Sequence, residues 1–408
     1  MSEFGGEVAR LLAERGMSLH QAARLAHYDV SYLSKVVNGR KPGSRKLAEA
    51  LDKALDAGGA LVALAPVVPA AEARVDGPAD EETEAWELAR LVAASDIGAA
   101  TLERIEQAVD DLAVAYPGTP PAELLARVRQ HLAYVARLLE ARKTLAEHQR
   151  LLVAAGWLSL LAATCAIDLR AWDAAAARLR TAAQLAGETA HGEIAAWCQE
   201  THAWQVLTIG DYPTAARLAQ QAQRAAPRGS SARIQATAQE GRAYARLGPS
   251  GRADAYDALA RVEALVAPLP VPDRPEHHYR YDPAKSEAYV ATTLSWLGDP
   301  AGERVARQVL SRLESSADGP RRPRRAATAR IDLSLALLAT GKPDEAGDVA
   351  LQAVTSGRLV PSSYWRAREV VEAVEASGAG EAVALREAYG EFCALNGGRA
   401  RRELPGPG

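Results

Sequence analysis

The chain has 408 residues, a formal net charge of −3 and a composition that is 48% hydrophobic and 24% charged. That length is a prior for two or three domains, and that balance excludes bulk disorder, a collagen-like repeat and a uniformly basic nucleic-acid coat. Ala and Leu dominate while aromatic residues make up 5%, which favours helices over strands and predicts an all-α protein.

Residues 1–65 read as a compact helical unit. Apolar spacing predicts five short helices near 3–15, 19–26, 30–38, 44–55 and 59–65. Gly16 is placed to end the first. Ser18, with Gln21 three residues on, forms the S-x-x-Q pattern of a capping box. Asp29 stands where the third helix needs an N-cap. On that third helix Leu33, Val36 and Val37 share one face and are expected to pack on Ala22, Ala23 and Leu51. Ser31, Tyr32, Ser34, Lys35 and Asn38 are left facing out. Between Val30 and Ala48 stand Lys35, Arg40, Lys41, Arg45 and Lys46 with no acid, although residues 1–65 as a whole carry nine basic against seven acidic side chains. The positive charge is local, the electrostatic footprint of phosphate contact.

Residues 66–84 combine three prolines, a Gly-Pro pair and an acidic run, and read as a linker with little to bury. From 85 to 395 the chain is helix after helix. Similar second-helix starts recur at 170–186, 210–226, 298–313 and 341–354, each opening on a turn and each carrying small residues where two helices would touch. Asp211 lies 38 residues after Asp173, and Gly341 lies 43 after Gly298. A helix pair repeating at that period marks an α-solenoid, longer in its unit than a standard tetratricopeptide repeat. Residues 151–167 carry no charge, but they are short for a membrane span and diluted with Ala and Gly. A buried helix is the reading that fits the neighbouring periodicity, and no membrane partner is expected. Residues 396–408 read as a flexible tail. Cys165, Cys198 and Cys393 form no C-x-x-C pair, which suits a reducing cytoplasm, and the first ten residues lack the basic-then-apolar pattern of a signal peptide.

With Ser18, Leu19, Ala23 and Ala26, then S-Y-L-S-K at 31–35 and N-G-R at 38–40, residues 5–65 resemble the Xre/Cro-type helix-turn-helix family of bacterial repressors. The resemblance implies a lambda-repressor-like five-helix fold that binds double-stranded DNA. It implies that Ser31, Tyr32 and Lys35 reach base edges and that Ser34 and Asn38 lie at the groove wall. Gln21 would bond a phosphate at a helix N-terminus, and Arg40, Lys41 and Arg45 would contact phosphates. The chain departs from the family where His27 and Tyr28 replace the usual turn glycine and small apolar residue. The whole chain is similar to regulators, many from high-GC bacteria, in which such a module precedes a tetratricopeptide-like domain. That resemblance implies a homodimer whose helical-repeat groove senses a peptide, a small molecule or a protein partner. An adaptor with a vestigial or localising helix-turn-helix is the alternative.

A peptide clamp needs amide side chains. The chain has only two asparagines, Asn38 and Asn396, so Gln205, Gln235 and Gln239 are the candidate groove residues. The arginines 321, 322, 324 and 325 are expected in a solvated loop, with an anionic ligand as the alternative, and Trp157, Trp197, Trp204 and Trp296 in core packing rather than as ligand platforms. His277-His278 has no third ligand at useful spacing, so no metal is expected. No nucleophile elbow, zincin or phosphate-loop motif occurs, so neither an enzymatic activity nor a cofactor is expected.

Overall fold

A computed structural model describes residues 3–41, 44–65, 78–270, 272, 277–315 and 322–402. All regular structure among them is helical, and the chain divides into two compact units, Met1–Ala89 and Arg90–Gly408.

The first unit opens with α1 (Glu3–Glu14), α2 (Leu19–Leu25), α3 (Val30–Val37), α4 (Arg45–Leu55) and α5 (Ala60–Ala63). These fall on the five expected segments. Their core is small but complete, built on Phe4, Val8, Leu33, Val36, Leu47, Leu51, Leu55 and Leu61, with Ala22 and Ala23 from α2. Asp52 fastens the end of the unit, its carboxylate accepting from the backbone N–H groups of Gly59 (2.7 Å) and Leu61 (2.9 Å). Helix α6 spans Pro78–Ala93 and so begins inside the segment read as a linker; 66–77 lie outside the described residues.

The second unit continues with α7 (Ala99–Ala115), α8 (Pro121–Glu140), α9 (Leu145–Asp168), α10 (Trp172–Glu188), α11 (Gly192–Thr208), α12 (Tyr212–Ala225) and α13 (Ser231–Ala245). It then runs through α14 (Arg252–Val266), α15 (Pro283–Trp296), α16 (Ala301–Glu314), α17 (Pro323–Ala339), α18 (Pro343–Thr355), α19 (Tyr364–Ser377) and α20 (Ala382–Arg402). Consecutive helices from α9 to α18 pack on one another, and α9, α11, α13, α15, α17 and α19 each also touch the next of that set. Helices flanked on both sides need small or apolar residues round most of their circumference, which is the pattern of α9, α11, α13 and α17. The recurrent second-helix starts fall on α10, α12, α16 and α18. Helix α20 runs to Arg402, through the first residues read as a tail, and 403–408 lie outside the described residues.

The turns before the recurring second helices have a local physical cause. Gly210 (φ +92°), Gly298 (+64°) and Gly341 (+73°) hold the left-handed conformation that ends a helix. The residue after each returns its N–H to a carbonyl five positions back: Asp211 to Val206 (3.2 Å), Asp299 to Leu294 (3.0 Å) and Lys342 to Leu337 (2.9 Å). This is a Schellman closure. The aspartates then start the next helix, Asp211 accepting from Thr214 N–H at 3.1 Å and Asp299 from Ala301 N–H at 2.8 Å. Gly302 marks a place where two helices touch: a Cβ there would meet the α15 backbone at 3.1 Å.

Helix α9 is long and apolar enough to cross a membrane, yet 83% of its most apolar window is buried inside the unit. Its capping box, Thr144 with Glu147, starts it, and its last residue, Asp168, is buried. That carboxylate accepts from Tyr116 Oη (2.9 Å) and Ser362 Oγ (3.0 Å) and pairs with Arg324. Arg324 corrects the solvated-loop expectation. Its side chain is only 12% exposed at the head of α17, where its guanidinium also donates to the Tyr116 carbonyl at 2.8 Å. Arg321 lies outside the described residues. The segment His277–Tyr281 is pinned over α7 and α9, with His278 N–H donating to Ala113 O (3.2 Å), His277 Nε2 lying 3.1 Å from Asp110 Oδ1, and Tyr279 packing on Trp157 and Trp197.

Candidate nucleic-acid interface

Helix α2 starts on the capping box read from the sequence. Ser18 Oγ accepts from Gln21 N–H at 3.3 Å and Gln21 Oε1 accepts from Ser18 N–H at 2.8 Å. Both the amide oxygen and the backbone donor of Gln21 are therefore occupied. Only its exposed side-chain NH2 remains for a phosphate, which narrows the role the resemblance implies.

The turn closes through Tyr28 N–H to Ala23 O (2.9 Å) and His27 N–H to Arg24 O (3.3 Å). That closure needs a left-handed residue, and His27 supplies it at φ +58°. A side chain there carries about 1–2 kcal/mol of steric cost that glycine lacks. His27→Gly is expected to stabilise the helix-turn-helix by about 1 kcal/mol. Hydrogen exchange of the α2 and α3 amides in the intact chain checks this, slowing about fivefold in the variant; unchanged or faster exchange would show that the imidazole contributes more than its backbone costs.

Asp29 caps α3 through Tyr32 N–H at 2.9 Å. Leu33, Val36 and Val37 are buried as expected. Ser31, Lys35 and Asn38 are exposed and spaced four and three residues apart, so they line one stripe of the helix. Ser34 is half-buried beside them. Asn38 is the C-cap, and its Nδ2 donates back to the Ser34 carbonyl (2.8 Å) and Ser34 Oγ (3.3 Å). Its carbonyl oxygen is the part of the amide left for a ligand.

Tyr32 departs from the outward placement. It is half-buried against the core, its ring stacked on Tyr28 at 6.1 Å with Lys41 Nζ 5.8 Å from its centroid. The turn residue Tyr28 thus supports the exposed helix through Tyr32. Gly39 (φ +73°) folds the chain back so that Arg40 and Lys41 N–H groups both bond Lys35 O, at 2.7 and 3.1 Å. This brings Arg40 and Lys41 to the C-terminal end of α3, next to Lys35. Arg45 is exposed at the start of α4, where its Nε lies 3.3 Å from Glu49 Oε1. An exposed pair of that kind is weak and leaves the guanidinium available. The region offers one stripe of hydrogen-bonding groups flanked by cations, the arrangement required for reading base edges while gripping phosphates.

The glutamines singled out for a ligand groove are not brought together as a clamp. Gln205 is half-buried on α11. Gln235 is buried and donates to Glu200 Oε1 at 3.0 Å. Gln239 is buried and accepts from Arg242 at 3.0 Å. Of the three, Gln235 faces a cavity in the second unit, which Trp197 and Trp204 also line. Trp197 and Trp296 are buried as expected. Among the described residues no group of three or more His, Cys, Asp or Glu side chains could hold a metal ion. The residues the sequence reading missed are the buried charges around this cavity. The signal for them was present, since Glu200 and Asp332 interrupt otherwise apolar helical stretches, where an ionisable group is costly.

Residues 3–65 match the family model described as a helix-turn-helix domain. No curated protein and no solved structure matches the chain. The match supports a helix-turn-helix DNA-binding domain at the N-terminus.

Proposed function

We propose that the protein is a cytoplasmic, sequence-specific transcriptional regulator of the Xre type, acting as a homodimer on double-stranded DNA. The second unit is a tetratricopeptide-like helical array that joins two copies and senses an effector. No catalytic step or cofactor is part of this reading. The observation that carries it is the stripe Ser31–Lys35–Asn38, held outward by the buried face of α3 and bordered by Arg40 and Lys41. In this account Ser31 and Lys35 read bases, and Tyr32 contributes its hydroxyl edge while its ring braces the helix. Ser34 and Asn38 face the groove wall, and Gln21, Arg40, Lys41 and Arg45 hold phosphates. A two-fold dimer sets its recognition helices ~34 Å apart for half-sites one turn apart. An effector that alters this spacing switches affinity, by ~1–3 kcal/mol in typical cases. The successive contacts among α9, α11, α13, α15, α17 and α19 support a repeat array with an inner surface available to an effector.

Salt titration of DNA binding tests the electrostatic half. Affinity is expected to fall with a log–log slope of about −0.9 per phosphate neutralised. Arg40→Ala should weaken cognate and random DNA alike and flatten that slope by about one unit. An unchanged slope would remove Arg40 from the phosphate contacts. An adaptor, by contrast, has no preferred DNA site and retains its protein partner when residues 1–65 are deleted.

A further inference from the structure

The cavity in the second unit measures about 210 Å³ for the centres of water-sized spheres, room for far more than a single buried water. Its walls come from α9, α11, α13, α15, α16, α17 and α19, and include the rings of Trp197, Trp204 and Tyr289 and the buried cation Lys285. The charge around it is out of balance. Arg242 is buried at 8% exposure, yet forms no ion pair among the described residues. One guanidinium nitrogen donates to Gln239, and its Nε has no acceptor. The guanidinium lies 4.9 Å from the Trp296 ring centroid and 5.1 Å from that of Tyr289.

Two more guanidiniums crowd the same indole, Arg366 at 5.1 Å and Arg246 at 5.4 Å. Those two have counter-charges: Arg366 pairs with Asp332 and Arg246 with Glu369. Arg242 does not. Glu200, which shares the cavity, is the carboxylate nearest in effect. It is held by Gln235 instead, and burial raises its pKa against the opposing pull of Gln235, Lys285 and Arg242. Gln235 Oε1 is itself buried without a partner. Cation–π contacts offset only part of the desolvation of a buried guanidinium, which elsewhere is met by an anion.

We propose that this cavity binds a small organic carboxylate with a flat aromatic body, its carboxylate accepting from Arg242 and its ring lying among Trp197, Trp204 and Tyr289. The unpaired guanidinium selects the charge, and the aromatic walls select the body. This deepens the sensor reading by naming the chemical class of the effector.

The test is calorimetric titration of the intact protein with benzoate, indole-3-acetate and 1-naphthoate, each beside its neutral primary amide. At least one carboxylate is expected to bind at least tenfold more tightly than its amide. Arg242→Gln is expected to reduce that preference to below about threefold, with circular dichroism confirming that the variant is folded. The comparison of acid with amide on the unaltered protein needs no variant. No carboxylate preferred over its amide, or a preference that survives Arg242→Gln, overturns the proposal. Preferential binding of a carboxylate that leaves DNA affinity unchanged upholds the carboxylate site and overturns the sensor reading instead.

Discussion

Asp332→Ala is expected to cost the second unit about 3–5 kcal/mol, the penalty for breaking a buried ion pair and leaving one charge behind. The Asp332 carboxylate is 3% exposed. It pairs with Arg366 and accepts from Thr292 Oγ1 at 2.7 Å. Burial pushes the Asp332 pKa up and that of Arg366 down, and Arg242 and Arg246 repel Arg366 further. The carboxylate is thus what offsets Arg366, as Glu369 offsets Arg246, beside the same indole. Its loss exposes Arg366 to both repulsions in a dry site. The double replacement Asp332→Leu with Arg366→Met is expected to cost less than Asp332→Ala alone, because it leaves no orphaned charge. Urea unfolding followed by tryptophan fluorescence reads the effect, since six of the seven tryptophans lie in this unit. A loss below about 1 kcal/mol for Asp332→Ala would mean that water reaches Arg366 and that the charge imbalance is screened.

Lys35→Ala is expected to cost ~1–3 kcal/mol on the cognate DNA site and much less on random DNA, lowering the specificity ratio by roughly five- to 150-fold. Lys35 is exposed on α3 between Ser31 and Asn38, and its own carbonyl anchors the N–H groups of Arg40 and Lys41. That backbone role survives the substitution, so the side chain alone is tested. Competition binding with cognate and scrambled duplexes separates the outcomes. Equal losses on both would assign Lys35 to phosphate contact rather than base reading. Arg40→Ala is the internal comparison, expected to give those equal losses.

The local parts of this account were legible in the sequence. Caps and turns are set by residues three to five positions apart. Ser18 with Gln21, Asp29 and Gly16 therefore announced their helix ends correctly. The buried face of α3 followed from period alone. Tyr32 was misjudged because its placement depends on Tyr28 across the turn and on Lys41 beyond the helix, contacts that periodicity does not encode. Arg324 was misjudged more severely. Its neighbours in sequence are proline and arginine, the composition of a solvated loop, but its partner Asp168 lies 156 residues away. The cavity was invisible for the same reason: Glu200, Arg242, Asp332 and Arg366 come from four different helices. Only their oddity as charges within apolar stretches pointed to them. The glutamine groove was sought by residue type without knowledge of facing. The structure instead places Gln235 and Gln239 as internal partners of Glu200 and Arg242.

Both units show the same rule at work. Where a polar side chain is exposed on a helix braced from behind, as at Ser31, Lys35 and Asn38, it is available to a partner. Where one is buried with a counterpart, as at Asp168 and Asp332, it is satisfied within the fold.

The most direct measurement is selection of duplexes from a random DNA pool by the intact protein at physiological salt, with Lys35→Ala run in parallel. The account predicts that one motif of two related half-sites is enriched, and that its sequence preference weakens at specific positions in the variant. Recovery of DNA with no enriched motif, or an identical motif and preference from Lys35→Ala, would contradict it.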